Sequence, residues 1–121
     1  MGKLTFKKEE KLSGEKSIQE LFTKGSSFYL NPFKVITLPS SFSVNRVLVS
    51  VPARTFKRAV DRNKIKRRIR EAYRINKEKL NSNKKLLIAY IYTAKVILPS
   101  ALIHEKLILT LAQINKGNEE N

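Results

Sequence analysis

Hydrophobic residues near the start of the chain recur with the period of an α-helix. Ile18, Leu21 and Phe22 stand at positions i, i+3 and i+4 and would form one apolar stripe along such a helix. Ser13 is a suitable N-cap for this helix, and Gly25 is a suitable residue to end it. The spacing therefore predicts a first helix between Ser13 and Gly25.

Other stretches have the composition of β-strands. Residues 33–38 and 46–51 are rich in β-branched and aromatic residues, and Pro52 ends the second stretch. Residues 86–93 form a nearly continuous apolar run, which predicts a strand that is buried on both faces. We expect an additional short strand near residues 53–57.

Two longer helices and two polar ends complete the predicted pattern. Residues 59–80 combine paired charges with the helical period, and residues 101–114 are apolar nearly all round, as in a buried helix. Residues 1–11 are expected to form an extended basic arm, and residues 117–121 a polar tail. The order α-β-β-(β)-α-β-α, without a repeat or a linker, predicts a single α+β domain over residues 1–121.

Charge is the most unusual property of the composition. The 121 residues include 25 lysines and arginines but only 10 aspartates and glutamates, so the formal net charge is +15. Twelve of the basic residues and three of the acidic residues lie within 54–79, which gives this segment alone a net charge of +9. This concentration predicts a binding face for a polyanion, and nucleic acid is the leading candidate. An anionic membrane is a weaker candidate, because neither end of the chain is a basic amphipathic helix with bulky aromatic residues.

A helical wheel of residues 58–79 separates the cationic residues from the apolar ones. Five residues would face the sheet: Ile65, Ile69, Ala72, Tyr73 and Asn76. An adjoining arc of roughly 140° collects seven polar side chains, namely Arg62, Asn63, Lys66, Arg67, Arg70, Arg74 and Lys77. Like charges at i and i+4 destabilise a helix, so this stripe indicates a surface that binds phosphates.

The residues around this stripe resemble the signature of the bacterial ribonuclease P protein component. That signature is a strand, a short basic turn and a helix with the pattern Arg-Asn-x-x-Lys-Arg-x-x-Arg. After the strand 46–51, the helix pattern is met by Arg62, Asn63, Lys66, Arg67 and Arg70. Upstream positions also fall at the family's spacing: Leu12, Ile18, Leu21, Phe22, Gly25 and Phe33. The resemblance extends over residues 7–114.

The resemblance implies both a fold and a function. The family fold is a two-layer α/β sandwich of the ribosomal-protein-domain type, in which the basic helix lies on a left-handed β-α-β crossover, against the usual hand. Its members are protein subunits of a ribonucleoprotein that removes the 5′ leader from precursor tRNA. The RNA subunit performs the hydrolysis with Mg²⁺, so this chain would be an accessory subunit without catalytic residues, a metal site or a cofactor of its own.

The resemblance also implies two groups of binding residues. The basic helix and the turn before it would contact the RNA subunit through nine residues: Arg54, Lys57, Arg58, Arg62, Asn63, Lys66, Arg67, Arg70 and Arg74. A cleft between the first helix and the sheet would receive the single-stranded leader, lined by Ile18, Phe22 and Phe33. Aromatic rings stack on any unpaired base, which suits a subunit that accepts many leaders. Core packing is the alternative interpretation of Phe22 and Phe33.

Two positions depart from the family pattern. Ile18 stands where many members have an aromatic residue, and Tyr90 stands in the last strand where a basic residue is common. The first departure affects one stacking contact, and the second affects one phosphate contact.

The sequence offers little other chemistry. The chain has no cysteine, which excludes disulfides, zinc knuckles and thiol catalysis. His104 is the only histidine, and no set of carboxylates is arranged to hold the metal of a protein nuclease. No apolar run reaches the length of a membrane span, and the first residues lack the apolar core of a signal peptide. We therefore expect a cytoplasmic protein that is monomeric when alone.

Three functions are compatible with a basic domain of this kind. The leading hypothesis is the accessory subunit of ribonuclease P. The alternative is a ribosomal or general RNA-binding protein without a role in cleavage. A DNA-binding regulator ranks third, because it would need a recognition helix and a dimerising surface, and the chain has neither heptads nor a helix-turn-helix pattern.

Overall fold

The computed structural model describes residues 10–81 and 84–119. Within these residues the chain forms three α-helices: α1 (Glu15–Lys24), α2 (Ala59–Asn76) and α3 (Ser100–Glu119). It also forms four strands: β1 (Ser26–Leu30), β2 (Phe33–Pro39), β3 (Arg46–Ser50) and β4 (Leu86–Tyr92). A short 3₁₀ helix at Lys77–Lys79 follows α2. The observed order α-β-β-β-α-β-α confirms the predicted α+β fold class.

The four strands form one sheet in the order β1-β2-β4-β3. β1 pairs with β2 and β2 pairs with β4 in antiparallel fashion, whereas β3 runs parallel to β4. A parallel pair requires a crossover connection, and here α2 is that connection. The basic helix α2 therefore connects β3 to β4 and packs against the sheet that they share.

The two faces of the sheet carry separate cores, because successive side chains of a strand point to opposite faces. On one face, α2 and α3 cover the larger core, to which the strands contribute Val35, Val49, Ile88 and Tyr90. On the other face, α1 covers a smaller core built from Leu12, Leu21, Ile36, Leu87 and Ala89. β4 belongs to both cores, which confirms the burial predicted from its apolar run.

α1 lies across the strands. Before the helix, the N–H of Leu12 donates to the carbonyl of Val47 in β3, at 2.9 Å. After the helix, Gly25 lies directly against Ile36 and Thr37 of β2. The helix therefore crosses the sheet from β3 to β2, and it leaves parts of this face uncovered on both of its sides.

Several element ends differ from the sequence predictions. Gly14, and not Ser13, is the N-cap of α1, with a φ of 99° that L side chains rarely adopt. The additional strand is β1, whereas residues 53–57 form a turn and irregular backbone. α3 continues to Glu119, so residues 117–119, which were expected in the tail, are helical.

The expected basic arm lies mostly outside the described residues, which begin at Glu10. Glu10 and Lys11 are both docked on the domain. Lys11 forms a parallel bridge with Val47, and the ammonium of Lys77 donates to both carboxylate oxygens of Glu10 at 3.0 and 2.9 Å. The chain is thus fixed to β3 and to the end of α2 from residue 10 onward.

Candidate RNA interface

α2 buries the side that its helical wheel predicts. Five residues face the core and are at most 7% exposed: Ile65, Ile69, Ala72, Tyr73 and Asn76. The prediction for this helix is confirmed at each of these residues. The cationic arc therefore points away from the core, where a ligand can reach it.

The nine residues expected to bind the RNA subunit differ in their accessibility. Five are exposed: Arg54, Lys57, Arg58, Asn63 and Arg67. Lys66 and Arg70 are half-buried, and neither forms an ion pair with a carboxylate in the part of the chain that the structure describes. These seven side chains form a cationic surface over the turn before α2 and the first three turns of the helix.

The C-terminal end of the stripe is neutralised by acidic residues. Arg74 donates from Nε to Glu71 at 3.1 Å and makes a second contact through Nη2. This contact lowers the pKa of the Glu71 carboxyl below its usual value. Lys77 is only 19% exposed and pairs with Glu10. The cationic side chains of the stripe that have no carboxylate partner among the described residues therefore extend only as far as Arg70.

Arg62 is also engaged within the protein. Its Nη1 donates to the carbonyl of Phe56 at 2.8 Å and to the carbonyl of Lys57 at 2.9 Å. These contacts join the first turn of α2 to the turn that precedes it. Part of the guanidinium that the resemblance assigns to RNA is thus used by the protein itself.

A second surface lies on the face of the sheet that α1 crosses. One row of side chains spans all four strands there: Tyr29 lies opposite Lys34, Lys34 opposite Ile91, and Ile91 opposite Ser50. α1 covers Ile36 in β2 and Ala89 in β4, and this row lies two residues away from them along the same strands. It is open to solvent at its outer end, where Lys34 is exposed and Tyr29 is 64% exposed.

The ring of Tyr29 is held by hydrogen bonds at the end of the sheet. The hydroxyl of Thr93 donates to the carbonyl of Pro32 at 2.9 Å, so its oxygen accepts from the hydroxyl of Tyr29 at 3.2 Å. This bond ties the phenol of Tyr29 to Thr93 at the end of the sheet, and 64% of the residue stays exposed. Tyr29 therefore offers an accessible aromatic side chain on this face.

α1 forms one wall of this surface. Ser17, Glu20 and Lys24 lie along a groove on the other side of the helix, beside the connection between β2 and β3. Ile18 and Phe22 consequently face the row that contains Tyr29. Ile18 is half-buried against the smaller core, whereas Phe22 is 45% exposed.

Phe33 does not belong to this surface. It is fully buried on the face covered by α2 and α3, with its ring edge-on to Tyr90 and Tyr92 at centroid distances of 5.4 and 6.4 Å. The expectation that Phe33 lines the leader cleft is therefore wrong, because the strand turns Lys34 to that face instead. Tyr90 is likewise buried and hydrogen-bonds to Thr110 at 2.8 Å, so it is not at an RNA surface.

Tyr29 and Lys34 are binding candidates that the sequence pattern did not predict. β1 was not predicted, so the strand alternation that places Tyr29 beside Lys34 could not be used. A signal was available in Asn31-Pro32, a turn dipeptide between two stretches with strand propensity. Leu30 pairs with Phe33 across this two-residue connection, as in a β-hairpin.

The residues at both surfaces offer binding chemistry. Cationic and amide groups on α2 can hold phosphate oxygens, and the rings on the α1 face can stack on bases. Over residues 10–81 and 84–119, no group of three or more histidine, cysteine, aspartate or glutamate side chains could hold a metal ion. In the same part of the chain, no helix is long and apolar enough to cross a membrane.

Known proteins resemble the chain at the level of sequence. The family described as Ribonuclease P matches residues 6–113. Two similar proteins are ribonuclease P protein components. The one from Petrotoga mobilis is 45% identical to this chain over 73 residues, and the one from Porphyromonas gingivalis strain W83 is 43% identical over 77 residues. These alignments cover 60% and 61% of this chain, and 61% and 56% of those relatives. The chain thus spans less than two thirds of the length of these two proteins.

Solved structures share the fold. The ribonuclease P protein of Thermotoga maritima matches with a TM-score of 0.75 at 28% identity, over 87% of this chain and 97% of that chain. A Staphylococcus aureus ribonuclease P protein matches with a TM-score of 0.70 at 27% identity, over 87% of this chain and 96% of that chain. Sequence and fold agree that the chain belongs to the ribonuclease P protein family.

Proposed function

We propose that this chain is the protein subunit of a ribonuclease P, which assists an RNA subunit in removing the 5′ leader of precursor tRNA. The observation that carries the proposal is the presence of two different RNA-compatible surfaces on one small protein. One is the cationic surface of α2 and its preceding turn. The other is the open part of the sheet beside α1. Membership of the family supports the same assignment.

The cationic surface is the one that we assign to the RNA subunit. Asn63, Lys66, Arg67 and Arg70 lie on one side of α2, where guanidinium forks and an amide can bind successive phosphate oxygens. The residues of the turn extend this surface beyond the N-terminus of the helix. Contacts of this kind carry no base information, which suits a docking surface for a folded RNA.

The open sheet face is the one that we assign to the leader. Phe22 and Tyr29 present exposed rings, and Lys34 stands directly beside Tyr29 in the neighbouring strand. Stacking on these rings is tolerant of sequence, and the ammonium of Lys34 can pair with a phosphate between the stacked bases. An unpaired strand fits this surface better than a duplex, whose bases are not free to stack on protein.

In this proposal the protein supplies no catalytic residue. The RNA subunit performs the phosphodiester hydrolysis with Mg²⁺ that is bound through RNA, and the protein improves the binding of the substrate and the RNA. The holoenzyme would then consist of the RNA subunit, this chain and the precursor, in the cytoplasm.

Cleavage of a precursor tRNA at low Mg²⁺ by the cognate RNA subunit, with and without the protein, tests the proposal. We expect a large increase in the rate of cleavage at the 5′ junction, and no cleavage by the protein alone. If the protein binds both RNAs and leaves the rate unchanged, it is a general RNA-binding protein and the proposal is wrong.

A further inference from the structure

We infer that Arg62 is a positioning residue that holds the cationic turn 54–58 in the arrangement that the RNA subunit meets. The contact itself lies within the protein. Only the identity of the RNA depends on the proposed function. Arg62 would then contribute to RNA binding through other cations in addition to its own charge.

A single nitrogen of Arg62 donates to two consecutive backbone carbonyls. Nη1 donates to the carbonyls of Phe56 and Lys57 at 2.8 and 2.9 Å. A terminal guanidinium nitrogen has two hydrogens, so both hydrogens of Nη1 are used here, while those of Nε and Nη2 remain available. The same side chain can therefore hold the turn with one nitrogen and bind a phosphate with the others.

The remaining anchors of the turn lie on either side of this contact. Before it, the ring of Phe56 is buried against Tyr92 at a centroid distance of 5.9 Å, and the N–H of Phe56 donates to Pro52 at 3.1 Å. After it, the carbonyl of Arg58 accepts from the amides of Asp61 and Arg62 at 3.1 and 3.2 Å. Arg62 fixes the backbone between these two anchors, at the point where the chain enters the helix.

The charges of the turn explain why such an anchor matters. Arg54, Lys57 and Arg58 are exposed within a five-residue stretch, and Arg62 adds a fourth cation beside them. Like charges repel, and a mobile turn would have to be ordered each time RNA binds. A turn held in advance presents its cations together and avoids this ordering cost.

The salt dependence of binding to the RNA subunit separates positioning from a single phosphate contact. The slope of log K against log salt is negative, and each lost phosphate contact reduces its magnitude by about 0.7–0.9. Arg62→Lys keeps the charge, but a shorter side chain with one ammonium nitrogen does not reproduce the planar fork. We expect the Arg62→Lys slope to fall by more than one contact's share, because the released cations no longer meet phosphates together.

Arg67→Ala is the matched control, because Arg67 is exposed on the same helix. Its slope should fall by about one contact, 0.7–0.9. If Arg62→Lys keeps the slope of the unaltered protein, charge alone accounts for Arg62 and the positioning role is wrong.

Proteolysis of the free full-length protein gives a second measurement that needs no RNA. Trypsin cleavage after Arg54, Lys57 and Arg58 should be roughly tenfold faster in Arg62→Lys and unchanged in Arg67→Ala, because cleavage follows local opening. Cleavage elsewhere in the chain reports global unfolding and serves as the internal control. Unchanged cleavage in the turn would overturn the inference even if the protein stimulates ribonuclease P, and faster cleavage would support it even if the protein does not.

Discussion

Phe22 and Phe33 are chemically identical, and their surroundings are opposite. Phe22 projects from α1 and is 45% exposed, whereas Phe33 is fully enclosed by the larger core. The difference for Phe33 arises from strand parity, since moving by one residue along β2 exchanges the two faces of the sheet. β2 contributes apolar side chains to both cores, Val35 to the larger and Ile36 to the smaller, so residue type does not indicate which core Phe33 joins. Residue type alone therefore could not separate a stacking residue from a core residue here.

Truncating these two rings should have different consequences for stability. Phe33→Ala should lower the free energy of unfolding by about 3–5 kcal/mol, as for other buried phenylalanines. Phe22→Ala should change it by no more than about 0.5 kcal/mol. Urea denaturation followed by circular dichroism measures both values, and equal losses for the two variants would contradict the assigned environments.

Tyr29 provides the corresponding prediction for leader binding. Tyr29→Ala should weaken binding of a leader-bearing precursor to the holoenzyme by about 1–3 kcal/mol, the cost of one lost stack. Binding of mature tRNA, which has no leader, should not change. Leu109→Ala is the control, since it truncates an exposed apolar side chain on α3. Equal weakening for precursor and mature tRNA would remove Tyr29 from the leader surface.

The C-terminal end of α1 packs closely against β2. A Cβ atom at Gly25 would lie 2.5 Å from the carbonyl oxygen of Leu21 and 2.7 Å from Cγ2 of Ile36. The φ of Gly25 is −72°, a conformation open to any residue. Gly25 was correctly predicted to end the helix, but the reason is the close approach of β2 and not a left-handed backbone.

Alanine substitutions at two glycines should therefore have opposite effects. Gly25→Ala should lower the free energy of unfolding by about 1–3 kcal/mol, because the new methyl group overlaps fixed atoms. Gly117→Ala, in α3 with nothing near its Cβ position, should raise it by up to about 1 kcal/mol through helix propensity. Thermal or urea unfolding measures both, and a neutral Gly25→Ala would show that α1 can move away from β2.

The elements differ in how well the sequence predicts them, for physical reasons. α2 has a long amphipathic pattern, and the helical period does not depend on the rest of the fold, so its buried side was predicted correctly. β1 is an edge strand with mostly exposed residues, and it has no apolar alternation to reveal it. Contacts between distant residues, such as Lys77 with Glu10 at a separation of 67, leave no local signal. For this reason, the loss of Lys77 from the cationic stripe was not predicted, whereas the pairing of Arg74 with Glu71 has the i,i+3 spacing of a local helix pair.

The molecule as a whole is organised around a core that contains three tyrosines. Tyr73, Tyr90 and Tyr92 are at most 1% exposed. Burial raises the pKa of each phenol above its usual value, because the phenolate form would lose its hydration. The folded protein therefore retains protons that the unfolded chain releases near pH 10.

Stability should consequently decrease in alkaline solution. The contribution of these tyrosines is complete below about pH 10 and is lost as the pH rises above that value, since the unfolded chain then binds fewer protons. Phenolate absorbance and far-ultraviolet circular dichroism, recorded during one alkaline titration, measure the effect. We expect the absorbance of the buried tyrosines to appear together with unfolding. Full ionisation before any loss of secondary structure would contradict this arrangement.

The strand order also determines when the protein can fold during its synthesis. β4 is the last of these four strands to leave the ribosome, but it lies between β2 and β3 in the sheet. Until it emerges, β1 and β2 form an isolated hairpin, which is marginally stable at best, and β3 has no neighbouring strand. The cationic helix is therefore translated before the sheet that supports it exists. A nascent chain that ends before Leu86 should have no stable fold, and folding becomes a single late event once residue 92 and α3 have been made.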